Sequence, residues 1–156
     1  EAKNLIDVPI LRKDFILEPY QVYESRVYGA DAVLLIADLL NQEAISQLVE
    51  IASGLGLDCL VEVHIQKELK KILKLKGISL IGINNRDLHT LEVDSRTTEK
   101  LFPLIPKDKT VVVESGIKSY QDVLFLKILG VSALLIGSAF MQANDIKKKV
   151  EEVMGW

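Results

Sequence analysis

The chain has 156 residues, 49% hydrophobic and 26% charged, a length and balance that suit one domain with a filled core. Its net charge of −3 argues against nucleic-acid binding, which needs a basic face, and the one local basic run, Lys147-Lys148-Lys149, is answered by Glu151-Glu152 and reads as a solvated helix face. No apolar stretch reaches the roughly 18 residues that cross a membrane and no signal peptide is visible, although the chain opens on Glu1 and not on methionine, which is compatible with a preceding segment.

The residues before Val8 read as the end of a helix leading into a first strand, "PILRKDFI" at 9–16. Four strings then resemble one another: "GADAV" at 29–33, "GLDCL" at 56–60, "GISLI" at 77–81 and "GVSAL" at 130–134. Each is Gly, any residue, Asp or Ser, any residue, then an apolar residue. Helical periodicity precedes them, as in Ile45, Leu48, Val49, Ala52 and Leu55, and again in Leu69, Ile72 and Leu73. A glycine just past a helix end supplies the left-handed turn that stops the helix. A short apolar run follows each time: "AVLLIADLL", "CLVEVH", "SLIGIN" and "ALLIGSA". The repeating unit is therefore helix, glycine stop, buried strand. Successive glycines lie 27, 21 and 53 residues apart. The last gap holds two units, and the strand inside it is "TVVVESGI" at 110–117. The count is six strands, each followed by a helical segment, the last helix near 145–154. The single cysteine, Cys59, lies in the third strand among Leu57, Leu60 and Val61. With no Cys partner and no Cys/His cluster for zinc, it reads as a buried thiol in a reducing compartment.

Apolar strands alternating with amphipathic helices mean a parallel sheet covered by helices. A doubly wound open sheet would carry a GxGxxG fingerprint after its first strand, and none is present. The polar residues instead gather at the C-terminal ends of the strands, where β/α-barrel active sites are assembled. A closed barrel has eight strands. The fold class expected is thus α/β, a (β/α)8 barrel with six of its eight units, strands three to eight, in one partial-barrel domain over 1–156.

Each candidate site residue has a plain reading beside the chemical one. Lys13 alternates with Arg12 and Asp14; inside a barrel mouth it would polarise a carbonyl or donate a proton, and otherwise it is a strand-end lysine reaching water. Glu62 shares a face with Leu60 and His64, opposite Val61 and Val63. A carboxylate on an inward face is either catalytic or structurally paired, and Lys13 is one possible partner for it. Asn84, in "GINNRDL", is in phase with Gly82 and is placed to orient a substrate group, whereas Asn85 to Asp87 suit an ordinary strand-to-helix turn. Glu114-Ser115-Gly116 and Gly137-Ser138 end the last two strands. Small residues with backbone N–H groups near a helix start form anion sites, and the loops after the last two barrel strands are the usual phosphate site; tight turns use the same residues.

Taken together, "PILRKDFI", "AVLLIADLL", "LVEVH", "IGINNRDL", "VVVESGI" and "LLIGSAFM", in that order over essentially all 156 residues, resemble the indole-3-glycerol phosphate synthase family of tryptophan biosynthesis. The resemblance implies a cytoplasmic carboxy-lyase without cofactor or metal. It would close, decarboxylate and dehydrate 1-(2-carboxyphenylamino)-1-deoxyribulose 5-phosphate to indole-3-glycerol phosphate. By the family pattern Lys13 looks like the general acid at the ketone oxygen and Glu62 like the acid/base of the later steps, with Asn84 positioning the substrate. Glu114 and Ser115 would line the substrate, Gly116, Gly137 and Ser138 would hold the phosphate, Phe15 would meet the aromatic ring, and Arg86 would contact the substrate carboxylate or support the site. The family's first strand brings a further glutamate, a second lysine and a phosphate-contacting serine that have no counterpart in these residues. The chain alone is accordingly expected to be weakly active or inactive. It is expected to self-associate through open sheet edges, or to be complemented by the two N-terminal units. The competing readings are another phosphate-binding barrel enzyme, such as a phosphoribosylanthranilate isomerase, and a non-catalytic partial-barrel folding or assembly module. No partner of nucleic acid or membrane type is expected.

Overall fold

The computed structural model describes Lys3 and residues 5–156. The chain forms two compact units, residues 1–81 and 82–156. The strands adjoin in chain order, β1-β2-β3-β4 in the first unit and β4-β5-β6 in the second, with β4 (Leu80–Asn84) divided between the two.

In the first unit β1 (Leu11–Arg12), β2 (Ala32–Ile36) and β3 (Asp58–Val63) alternate with the helices α1 (Pro19–Val27), α2 (Gln42–Gly54) and α3 (Gln66–Ile72). The strands pair in parallel, Leu11 opposite Ala32, Leu34 opposite Leu60 and Ile36 opposite Glu62. Val33, Leu34, Leu35 and Ile36 are all buried, as are Leu60, Val61 and Val63, so both faces of these strands are covered, as the near-continuous apolar runs require. The covering side of α2 is Ile45, Leu48, Val49 and Ala52, the periodic set read from the sequence, and its first turn is capped by Asn41 Oδ1 accepting from Ala44 N at 2.8 Å. Cys59 lies in this core, and burial, reinforced by the neighbouring Asp58 carboxylate, pushes its thiol up to about 12. We expect the native chain to resist a disulfide-exchange reagent near pH 8 and to react at once in denaturant, because only the thiolate attacks; rapid labelling of the folded chain would contradict this burial.

The first strand is shorter than the 9–16 read from sequence. Asp31 Oδ2 takes the Ile10 N–H at 2.7 Å, and the Ile10 carbonyl accepts from Asp31 and Ala32, which fixes where the ladder begins. After Arg12 the Asp14 carboxylate accepts from Phe15 N at 2.8 Å, a local side-chain bond that competes with ladder pairing and turns the chain out of the sheet.

In the second unit α4 (Arg96–Leu101) runs into a 3-10 turn, Phe102–Leu104, before β5 (Thr110–Glu114), α5 (Tyr120–Leu129), β6 (Ala133–Leu135), the short α6 (Ser138–Met141) and α7 (Ile146–Met154). β5 and β6 pair in parallel, Val112 opposite Ala133 and Glu114 opposite Leu135. β6 is thinly covered: Ala133 is exposed and Leu134 and Leu135 are half-buried, beside an apolar cleft of about 490 Å³ lined by Leu134, Ile136, Phe140, Val150 and Met154. The α5 start is closed by a reciprocal box. Ser119 Oγ accepts from Asp122 N, and Asp122 Oδ2 accepts from Ser119 N at 2.9 Å and Lys118 N at 3.0 Å. Burial would raise the Asp122 carboxyl, but these backbone N–H bonds and the Ser119 hydroxyl outweigh it and hold the group below the usual carboxylate range. A carboxyl lowered by folding adds stability above its unfolded pKa of about 3.9, and that stability is lost as pH falls through the lower folded value. Denaturant midpoints measured down to pH 2 should therefore fall less steeply in Asp122→Asn than in the parent; equal slopes would remove Asp122 from the acid response.

The four glycines of the repeated strings, Gly29, Gly56, Gly77 and Gly130, have φ of 83°, 70°, 80° and 98°. All adopt the left-handed conformation that the helix–stop–strand reading demands. Among the described residues no helix is long and apolar enough to cross a membrane, and no group of three or more His, Cys, Asp or Glu is arranged to hold a metal ion.

Candidate functional site

The candidate residues fall into two sets, one in each unit. In the first unit Lys13 follows directly on β1. Its neighbours are both tied to their own surroundings: Arg12 Nη1 donates to Glu24 Oε2 at 2.7 Å, Gln21 O at 3.1 Å and Ser25 Oγ at 3.2 Å on α1, and Arg12 Nη2 to Asp14 Oδ2 at 3.1 Å. The Phe15 N–H and the Arg12 guanidinium together hold the Asp14 carboxyl below its ordinary value. Lys13 alternates away from both, and its Nζ lies 3.6 Å from Glu62 Oε2. The pair is asymmetric. The Glu62 side chain is 3% exposed and the Lys13 side chain 43%, so one partner is withdrawn from water and the other remains in touch with it. A cation beside a buried carboxylate is an arrangement suited to proton transfer and to stabilising charge developing on a nearby substrate oxygen. Phe15 is exposed, two residues after Lys13, in a loop held by Gln21, whose Nε2 donates to Phe15 O at 2.8 Å and whose Oε1 accepts from Leu17 N at 2.7 Å.

The end of β3 is fixed by Glu68, a buried residue of α3 whose Oε2 accepts from His64 N at 2.7 Å and Ile65 N at 3.2 Å. The turn after β2 is fixed from the same helix: Lys71 Nζ donates to the carbonyls of Ala37 and Leu40, and Gln42 Nε2 donates to Lys71 O at 3.2 Å. Neither Glu68 nor Lys71 stands out in the sequence, where each looks like one more charge on a helix surface. Their common signal is position, on the first two turns after a strand end.

In the second unit Asn84 ends β4 and is buried; its Oδ1 accepts from Arg86 N at 2.9 Å. Arg86 Nη1 donates to Leu91 O at 2.9 Å, which ties its guanidinium to the loop that follows β4. Asp87 behaves as a turn residue, its Oδ1 accepting from His89 N at 2.7 Å and Thr90 N at 3.0 Å. Glu114, buried, ends β5. Ser115 and Gly116 follow with φ of 65° and 80°, two left-handed residues in succession, and the turn reaches α5 only three residues later, at its Ser119 cap. Gly137 and Ser138 are exposed, Gly137 being the cap position of α6. The residue sequence reasoning misplaced is Asn85. Assigned to an ordinary turn, it is instead buried, with its side chain bonded to Ser115 and Thr98.

The model of the family described as indole-3-glycerol phosphate synthase matches residues 1–153. An indole-3-glycerol phosphate synthase of Acetivibrio thermocellus is 54% identical over 152 residues, covering 97% of this chain and 58% of that protein. One of Caldanaerobacter subterraneus subsp. tengcongensis is 52% identical over 157 residues, 99% of this chain and 60% of that protein. The chain thus spans roughly three-fifths of the length of these curated relatives. Among solved structures, 3-hexulose-6-phosphate synthase from Salmonella typhimurium aligns over 99% of this chain and 75% of its own, with TM-score 0.77 and 14% identity. A chain of the tryptophan synthase complex from Pyrococcus furiosus aligns over 99% of this chain and 70% of its own, with TM-score 0.74 and 20% identity. At these identities the solved structures speak to the fold, that of six βα units of the (β/α)8 class.

Proposed function

Because the chain belongs to the indole-3-glycerol phosphate synthase family, we propose that its residues serve the cyclisation, decarboxylation and dehydration of 1-(2-carboxyphenylamino)-1-deoxyribulose 5-phosphate in tryptophan biosynthesis. The observation that carries this reading is the Lys13–Glu62 pair at 3.6 Å, one member buried and one in contact with water.

Ring closure adds an aromatic carbon to the substrate ketone, and negative charge grows on the ketone oxygen. The Lys13 ammonium stabilises that charge and delivers the proton that turns the oxygen into a hydroxyl. CO2 then leaves the ring carbon that formed the new bond, and the electron pair of the broken bond restores the aromatic ring. Loss of the hydroxyl as water needs a second proton on that oxygen, with one removed from the new five-membered ring, and Glu62 manages these later transfers. Asn84 orients the substrate, Glu114 and Ser115 line it, Gly116, Gly137 and Ser138 take the phosphate, Phe15 meets the aromatic ring, and Arg86 faces the carboxylate that departs. The setting is cytoplasmic.

The chain has too short a span of its relatives to be expected to work at full rate by itself, and the thin cover on β6 with its apolar cleft favours self-association. The test is the indole absorbance that product formation creates, followed for the 156-residue chain alone and with the N-terminal remainder of a relative supplied. Slow turnover alone and faster turnover with the complement support the reading. Conversion of phosphoribosylanthranilate, and not of the synthase substrate, would overturn it.

A further inference from the structure

We propose that Asn85 is a positioning residue that holds the Glu114–Ser115–Gly116 turn in its working shape, an inference that rests on the synthase reading for its effect on substrate but not for its structural content. Ser115 has φ 65°, a left-handed conformation that is costly for a residue with a Cβ and persists only where its surroundings impose it. The imposing group is close at hand. Asn85 Nδ2 donates to the Ser115 carbonyl at 3.1 Å, and the Asn85 backbone N–H donates to the Glu114 carbonyl at 2.9 Å, so one residue engages two successive carbonyls of the turn.

The amide itself has no freedom to release them. Asn85 is 3% exposed, and its Oδ1 accepts from Thr98 N at 3.2 Å and Thr98 Oγ1 at 2.8 Å. Since a backbone N–H only donates, Thr98 fixes which end of the amide is oxygen and turns the NH2 toward Ser115. The Asn85 carbonyl is occupied as well, accepting from Asp94 N at 2.9 Å. Gly116 completes the fit: a Cβ there would stand 2.8 Å from Val93 Cγ1 and 3.9 Å from Asn85 Nδ2, so the turn lies tight against this strand end and the loop after it. The neighbouring Asn84 points its own amide elsewhere, to Arg86 N, so the two adjacent asparagines divide their work.

The experiment uses the chain as it is, labelled for NMR, with Asn85→Ala, Ser115→Gly and the double variant. The Cβ shift and amide coupling of Ser115 report its φ directly. Asn85→Ala is expected to move Ser115 out of the left-handed region. In a preparation that turns over substrate it should raise KM about tenfold, the equivalent of one lost hydrogen bond, with a smaller effect on kcat. Glycine tolerates positive φ at no steric cost, so Asn85→Ala should raise KM less in the Ser115→Gly background than in the parent. Ser115 keeping its left-handed shift in Asn85→Ala, or an equal KM penalty in both backgrounds, overturns the proposal. If Asn85→Ala does not fold, Asn85→Asp takes its place: it keeps the side-chain shape but has no N–H to give the Ser115 carbonyl, and an unmoved Ser115 signal then counts against the inference. A chain in which Ser115 moves but no preparation turns over the synthase substrate upholds the positioning role and counts against the synthase reading.

Discussion

If the synthase proposal holds, Glu62→Gln assayed with the N-terminal complement is expected to turn over substrate about 10²- to 10⁴-fold more slowly than the parent so assayed, yet to unfold at the same or a higher denaturant concentration. The two halves of that result have one cause. Glu62 is 3% exposed, and placing a carboxyl group so far from water carries a cost in desolvation. The neutral amide has nearly the same shape and removes that cost, but it cannot accept and return a proton. A residue placed for packing would show the opposite pattern, with stability falling and turnover following it down. Rates and unfolding midpoints measured on the same preparation decide between them, and a Glu62→Gln enzyme of undiminished kcat would end the acid/base assignment.

On the same proposal, Lys13→Met in the complemented assay is expected to lose turnover to the same order, about 10²- to 10⁴-fold, but with a different thermodynamic companion. The methionine keeps most of the stem and deletes the ammonium 3.6 Å from Glu62. The buried carboxylate loses that neighbour, and the chain is destabilised. Because the Lys13 side chain is 43% exposed, solvent screening keeps the penalty near that of a partly exposed pair, about 1 kcal/mol. The sign of the stability change thus separates the two single variants. Combined, Lys13→Met with Glu62→Gln should unfold later than Lys13→Met alone, since the amide no longer needs a cation, and a double-mutant cycle in denaturant measures the coupling. Strict additivity would mean that the two groups, though close, do not feel each other.

Much of this arrangement is legible in the sequence because it depends on short-range rules. The helix–glycine–strand strings need only periodicity and the left-handed preference of glycine, and all four glycines obey. The facing of Glu62 follows from alternation along one strand, and Lys13 was a nameable partner because both are polar residues at the ends of inward-facing rows. The limits of β1 were harder to read, since Asp14 bonds Phe15 N and Asp31 takes Ile10 N, and such local bonds leave no mark in an apolar pattern. Asn85 was misread for a deeper reason. Its turn-like composition was correct for Asp87, which does make a local turn, but the partners of Asn85 are Ser115 and Thr98, thirty and thirteen residues on. A buried amide network between distant loops is set by tertiary packing, and one sequence contains no signal of which asparagine of a pair will enter it.

The glycine stops precede the strands, and the charged and amide side chains follow them. In parallel strands these are opposite ends of each element. A substitution at Gly56, where an added Cβ would meet nothing within 4 Å, changes the geometry of a helix exit and stays a whole strand length away from Glu62. A change at a helix exit thus acts at one end of a strand and a change at the candidate acid and base at the other, so the two can be varied separately and their effects on folding compared.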